Sequence, residues 1–359
     1  MSEKVKLGEL GEIVSGSTPK TNIKEYWDGE ILWITPAEIK EDDYYIVDTQ
    51  RKITNLAVEK TNLKLLPKGT VLLSSRAPIG KVAICDNDMY CNQGFKNIIC
   101  SDRLENRYVY YFLKHNVEYI KSLGRGATFK EISKGIVENL EIPYREKKEQ
   151  IEIANKLDKI TEILKIRKQQ IKQFDEIIKS QFVEMFGDIK SNDKNWKTKN
   201  GSELFIFSSG KSNKTSNLSS NFEYKCYGGN GITGLSKDYL IDYDTIVIGR
   251  VGAYCGSVHT TEGKVWITDN AIYIKEFKED YNIKFLKELF EVIDFHRFAN
   301  FSGQPKITQQ PLQNYSYILP PIELQNQFAD IVKQIDKQKF ESEIELRKIQ
   351  KNIFYKWGR

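Results

Sequence analysis

Metal and redox chemistry find little to work with in this chain. Its five cysteines (Cys85, Cys91, Cys100, Cys226, Cys255) are scattered and form no C-x-x-C pair, and its three histidines (His115, His259, His296) stand apart from one another and from cysteine. Such spacing excludes a disulfide framework and a zinc knuckle, so reduced, partly buried thiols and no metal site are expected. No apolar run approaches the roughly 20 residues that a membrane-spanning helix needs. The opening MSEKVKLGELGE is charged where a signal peptide would place its apolar core, so a cytoplasmic protein with no membrane partner is expected. A large charge of one sign is missing too. The formal net charge is +5, and residues 1–143, 144–187, 188–321 and 322–359 each carry between 0 and +2. Bulk attraction to phosphate is therefore weak, and any binding of nucleic acid must come from local loops. No N-P-P-Y or D-P-P-Y run occurs, which excludes the commonest adenine-methylating signature.

What is present is a repeat. A chain of 359 residues is long enough for two cores, and internal similarity divides it accordingly. LGEIVSG at Leu10–Gly16 matches LFIFSSG at Leu204–Gly210, an offset that also sets Trp33 over Tyr227. TVLLSSR at Thr70–Arg76 resembles TIVIGR at Thr245–Arg250, each reading as a strand that feeds a glycine-containing loop. Asn92 and Asn270 take comparable places before apolar runs, and helical stretches rich in Tyr, Phe, Leu and Lys follow. Both copies close on proline, at Pro143 and at Pro320-Pro321, and a glutamine precedes a long helix in each.

Those helices carry the clearest periodicity. Leu157, Leu164, Ile171, Ile178 and Met185 recur every seven residues, with Ile153, Ile160 and Phe174 on the alternate seam and Arg167 and Gln181 interrupting it. A heptad pattern over 144–187 predicts a coiled-coil rod of about 60 Å, far longer than an ordinary helix packed on one core. In the second helix Phe328, Val332, Ile335, Leu346, Ile349 and Ile353 keep the seam, which Lys339 and Ser342 interrupt. One coiled strand is unstable alone, so an antiparallel pair is expected. The predicted fold is mixed α+β: two α/β domains at 1–143 and 188–321, separated by two long antiparallel helices at 144–187 and 322–359, related by a pseudo-twofold repeat.

Three near-motifs have structural explanations. Gly229-Asn230-Gly231-Ile232-Thr233-Gly234 fits G-x-G-x-x-G, but a turn and a strand follow where a dinucleotide site requires a helix. Gly210-Lys211-Ser212 imitates the end of a phosphate loop, with Phe205 in place of its first glycine. Asp28 with Glu38-Ile39-Lys40 loosely imitates a nuclease core, yet the second copy has Ile232 in place of Glu38. No catalytic residue is expected.

The better candidates are polar loops at equivalent places in the two copies. Ser17, Thr18 and Lys20 face Lys211, Asn213 and Lys214, groups suited to phosphate contacts. Arg76 and Arg250 end equivalent strands and carry the planar fork that contacts guanine or clamps a phosphate. Lys81, Gln93, Lys96, Asn230, Tyr254 and Asn270 lie in or beside these loops. Arg125, Thr128 and Lys130 form a further pair with Gln304, Lys306 and Thr308.

The order domain, long helix, domain, long helix resembles the specificity subunits of type I restriction-modification systems. GEIVSGSTPKT with WITPAEI, and YGGNGITG with TIVIGRVGAYCGSV, are similar to two varieties of their target-recognition domain. The resemblance covers essentially the whole chain. It implies a non-catalytic, sequence-specific DNA-binding subunit that reads an asymmetric bipartite site in double-stranded DNA, with the helices setting the gap. It also implies two methyltransferase subunits and restriction subunits as partners, and it assigns S-adenosylmethionine, ATP and Mg to them and no cofactor to this chain.

Overall fold

The structure, a computed structural model, describes residues 3–126 and 130–357, the side chains of Thr215 and of 350–357 excepted. Thr128 lies outside the described residues. The chain forms two compact units, residues 1–166 with 347–359 and residues 167–346.

Unit 1 is built on a five-stranded sheet. Its strands β1 (Gly11–Ser15), β2 (Val71–Leu73), β3 (Val82–Cys85) and β4 (Lys96–Cys100) lie in the order β1-β4-β2-β3, with Tyr45–Ile46 at the edge beyond β3. A second sheet joins Arg51–Ile53, Trp27–Ile34 and Tyr90–Cys91, and the short pair Lys4–Lys6 and Glu141–Pro143 closes the unit. β2 and β3 are continuous apolar runs, VLL and VAIC, buried throughout, as strands covered on both faces must be. Helix α1 (Asn106–His115) covers one face, placing Tyr108, Val109, Phe112 and Leu113 in the core.

Unit 2 repeats that plan. Its strands β5 (Phe205–Ser209), β6 (Ile246–Gly249), β7 (Val258–Thr260) and β8 (Ala271–Phe277) run in the order β5-β8-β6-β7, the same path as unit 1. The second sheet joins Gly231–Ser236, Tyr224–Gly228 and Val265–Ile267. Helix α3 (Ile283–Ile293) buries Phe285, Leu286, Leu289 and Phe290.

The long helices are α2 (Lys147–Phe186) and α4 (Ile322–Trp357), neither of which contains glycine or proline. α2 stops where Gly187 takes φ +78° and returns its N–H to the Val183 carbonyl, 2.8 Å away, the usual left-handed glycine stop. The expected seam is the buried one. Leu157, Ile160, Leu164, Ile171, Phe174 and Ile178 are all buried or half-buried, while Ile163, Ile166 and Ile177 are exposed on the other face. In α4 the buried or half-buried positions include Phe328, Ile335, Leu346 and Ile349.

Within unit 2 the two helices run antiparallel. Lys339 Nζ lies 2.5 Å from Asp175 Oδ1 and Arg167 Nη2 lies 3.2 Å from Glu345 Oε2, so partners rise along one helix as they fall along the other. Two of the four polar residues that interrupt the heptads, Arg167 and Lys339, thus form cross-helix ion pairs, which fix register more than they stabilise. Near the α4 start, Phe182 and Phe186 of α2 pack on Phe328 with ring centroids 5.6 and 5.5 Å apart.

Each long helix is also stapled to the unit it follows by a fully buried glutamine. Gln150 Oε1 accepts from the Glu105 N–H at 2.9 Å, just before α1, and its Nε2 donates to the carbonyls of Arg103 and Arg145. Gln325 Oε1 accepts from the Asn282 N–H at 3.0 Å, just before α3, and its Nε2 donates to the Pro320 carbonyl. These are the glutamines that open both helices in the repeat. Unit 1 adds a polar clasp in which the Asp158 carboxylate accepts from the hydroxyls of Tyr44 and Tyr111, at 2.6 and 2.7 Å, and from Arg107 Nη1 at 2.8 Å. Burial and the bonds to Asp158 push the Tyr44 hydroxyl pKa far above its ordinary value, so the phenol stays a donor.

Candidate nucleic-acid interface

In each unit the polar loops gather at one end of the main sheet, where β1 and β2 (or β5 and β6) end and where β4 (or β8) begins. In unit 1 the Ser17 N–H donates to the Cys91 carbonyl, Thr18 Oγ1 donates to Gln93 Oε1, and the Ser75 N–H donates to the Gly94 carbonyl. The Ile132 N–H then ties the loop after Arg125 to the Ser75 carbonyl. Unit 2 makes the same bonds with other residues. The Lys211 N–H donates to Ile267, Arg250 to the Asn270 carbonyl, and Ile307 to the Arg250 carbonyl.

This shared network aligns the two rims residue by residue and corrects three correspondences. Arg250 occupies the place of Ser75, one position before Arg76, because both donate to the strand start and accept from the 132 or 307 amide. Asn270 occupies the place of Gly94, and Thr268 that of Asn92. Tyr227 corresponds to Ile34, each accepting at its carbonyl from the amide of Thr268 or Asn92. The strands that lead into these loops, such as VLL and IVIG, are buried on both faces, so they carry no inside–outside alternation that would fix a register of one or two residues from the sequence alone.

Conserved geometry is filled by different chemistry. The indole of Trp33 donates to the Ser17 carbonyl at 3.2 Å, whereas in unit 2 the indole of Trp266, from the neighbouring strand, donates to the Lys211 carbonyl at 3.0 Å. Lys81 Nζ reaches the Pro36 carbonyl at 2.8 Å; its counterpart Ser257 reaches the Gly229 carbonyl at 2.6 Å. A Cβ on Gly16 or Gly210 would lie 1.9 Å from the Asn92 oxygen or 2.2 Å from the Thr268 oxygen, so both loops require glycine for this close approach.

The rims expose the groups that could contact a ligand. Lys20, Gln93, Lys211, Lys214, Asn230, Asn270 and Lys306 are exposed, and Tyr254 is 57% exposed. Arg76, Ser17, Thr18 and Asn213 are half-buried. Arg250 sits beside them with Nη1 3.3 Å from the Asp269 carbonyl. Asn230 forms the tip of the hairpin Gly228–Gly231, with Gly231 at φ +83°, so the apparent dinucleotide motif is a β-turn. Lys96 differs from the rest. It is buried with Nζ between Ser75 Oγ and Glu131 Oε1, at 3.4 and 3.3 Å, which places it beneath the rim. Glu131 itself is a rim residue that the sequence did not single out, because nothing in GRGATFKEIS marks one charge above its neighbours.

The remaining suspects serve the fold. Both oxygens of Glu38 are committed to closing the turn from Thr35 and to the Gln50 amide. Burial raises the thiol pKa of Cys91 and of Cys100 to about 12, so neither is a nucleophile at neutral pH. Among the described residues no helix is long and apolar enough to cross a membrane.

Residues 2–174 and 193–351 match the family described as the type I restriction modification DNA specificity domain, once for each copy of the repeat. The chain belongs to this family. It is 42% identical over 194 residues to the type I restriction enzyme MjaIX specificity subunit of Methanocaldococcus jannaschii, a match covering 53% of this chain and 42% of that relative. It is 25% identical over 354 residues to the EcoprrI specificity subunit of Escherichia coli, covering 92% of this chain and 86% of that one. The S subunit of a type I restriction-modification system from M. genitalium shares the fold with a TM-score of 0.61 at 20% identity, over 99% of this chain and 95% of that one. A chain from a structural study of type I R-M complex assembly and conformational transition gives 0.65 at 18%, over 99% and 97%. The specificity subunit is the non-catalytic member of its system, and catalysis lies in partner subunits.

Proposed function

We propose that this specificity subunit reads an asymmetric, bipartite site in double-stranded DNA, one half-site for each recognition domain, at 1–143 and 188–321. The observation that carries this is the repeated rim. One hydrogen-bond framework presents different side chains in the two units, so the same scaffold faces two different base sequences. The helices 144–187 and 322–359 set the unread gap and dock two methyltransferase subunits, with restriction subunits joining them. S-adenosylmethionine, ATP and Mg belong to those partners, and the complex works in the cytoplasm.

The test is selection from a random double-stranded DNA library with this chain purified together with its methyltransferase subunit. A two-part, non-palindromic motif with a fixed gap is expected; a single contiguous motif, a palindrome or no motif would overturn the reading. Within it, Arg76→Ala is expected to change one half-site and Arg250→Ala the other, each by roughly 10-fold in discrimination at one or two positions, with methyltransferase binding intact. Identical motifs from both variants and the unaltered protein would remove the arginines from the reading set.

A further inference from the structure

Unit 1 puts a carboxylate where unit 2 puts an ammonium. Arg125 pairs with Glu131 and Asn300 with Lys306 through equivalent backbone bridges, and the next residue in each case, Ile132 or Ile307, donates to the Ser75 or Arg250 carbonyl at 3.0 or 2.9 Å. Glu131 and Lys306 therefore hold the same position on the two rims.

Glu131 pairs with two cations yet is not enclosed by them. Its Oε1 lies 3.3 Å from Lys96 Nζ and 3.4 Å from Ser75 Oγ, while Oε2 lies 3.7 Å from Arg76 Nη1, beyond hydrogen-bond reach. Lys96 is 11% accessible at its side chain and grips the carboxylate from below; Glu131 and Arg76 are both 38% accessible. A carboxylate has about four acceptor positions, so Glu131 keeps acceptor capacity toward solvent beside the half-buried Arg76 guanidinium. Phosphate oxygens only accept, and a carboxylate repels them, so on a DNA-binding rim this group gains nothing from the backbone. The donors it can meet are the exocyclic amines in the major groove, N4 of cytosine and N6 of adenine.

Resting on the reading of this rim as a DNA interface, we propose that Glu131 is a specificity-determining residue that accepts from the amino group of a cytosine or adenine in the unit 1 half-site. Lys96 is its positioning residue. Arg76 donates alongside it to the acceptor atoms of the same base pair, O6 and N7 when that pair is cytosine with guanine. At the same place in unit 2, Lys306 makes the opposite choice and suits a base that presents acceptors.

The experiment is library selection with the chain and its methyltransferase subunit, unaltered and as Glu131→Gln and Glu131→Lys. The unaltered protein is expected to show a column of cytosine or adenine in one half-site. Glu131→Gln, which keeps the size of the side chain, is expected to weaken that column by roughly 10-fold, and Glu131→Lys to turn it toward guanine, with the other half-site unchanged as the control for folding. Unchanged columns in both variants would overturn the assignment and leave the bipartite reading standing, as would uniform fading of the whole half-site, which marks a structural role. A selection that yields no two-part motif from the unaltered protein would overturn both.

Discussion

Phe328→Ala is expected to destabilise unit 2 by about 3–5 kcal/mol, the cost of removing a fully enclosed aromatic ring from a core that cannot collapse around the gap. Phe328 has no exposed surface and sits against Phe182 and Phe186 of α2, while Phe186 also packs at a tilt on Phe285 of α3, with ring centroids 4.6 Å apart. Truncating one ring therefore loosens the attachment of both long helices to the α3 face at once. Because two units do not give a single unfolding transition, the effect is best read by hydrogen exchange of the α3 amides. These should exchange orders of magnitude faster, while those of α1 in unit 1 stay protected. Full protection of α3 in the variant would show that the cluster is not what holds the helices there.

Gln150→Leu ranks second. The side chain is entirely buried and satisfies one amide and two carbonyls, those of Glu105, Arg103 and Arg145. Leucine matches its bulk but strands all three groups, and each buried polar group left without a partner costs about 1–3 kcal/mol. A loss of about 3 kcal/mol or more is expected, localised to the α1 start and the first turns of α2. Gln325→Leu should do the same to the α3 start and α4, with a smaller loss because it satisfies fewer groups. Gln150→Glu separates the causes: it keeps the acceptor for the Glu105 amide and loses the donor to both carbonyls. Equal exchange protection in Gln150→Leu and the unaltered protein would mean that water replaces the lost bonds and that the glutamine is not a staple.

Much of the architecture was legible in the chain. The heptads ran from Leu157 to Ile178 on the face that the structure buries, because a 3.5-residue period survives any tertiary detail. The matched motifs LGEIVSG and LFIFSSG land on equivalent strands whose glycines, Gly16 and Gly210, both accommodate a close carbonyl. The glycine run after Gly228 read correctly as a turn. Register did not follow. Arg76 and Arg250 end similar strings, TVLLSSR and TIVIGR, but the hydrogen bonds seat Arg250 on Ser75 and leave Arg76 one residue further along its loop.

The sequence by itself determined the repeat, the helical rods and the absence of ligand-spaced histidine and cysteine, since each rests on local pattern and on residue type. Only tertiary structure decided which side chains share the rim. It sent Lys96 beneath the surface, tied Lys81 to a carbonyl, gave Arg167 and Lys339 partners across the helix pair, and brought Glu131 to face Arg76 across 55 positions of chain. Those outcomes depend on the pairing of distant strands and on burial, and no local pattern of charge or hydropathy encodes either.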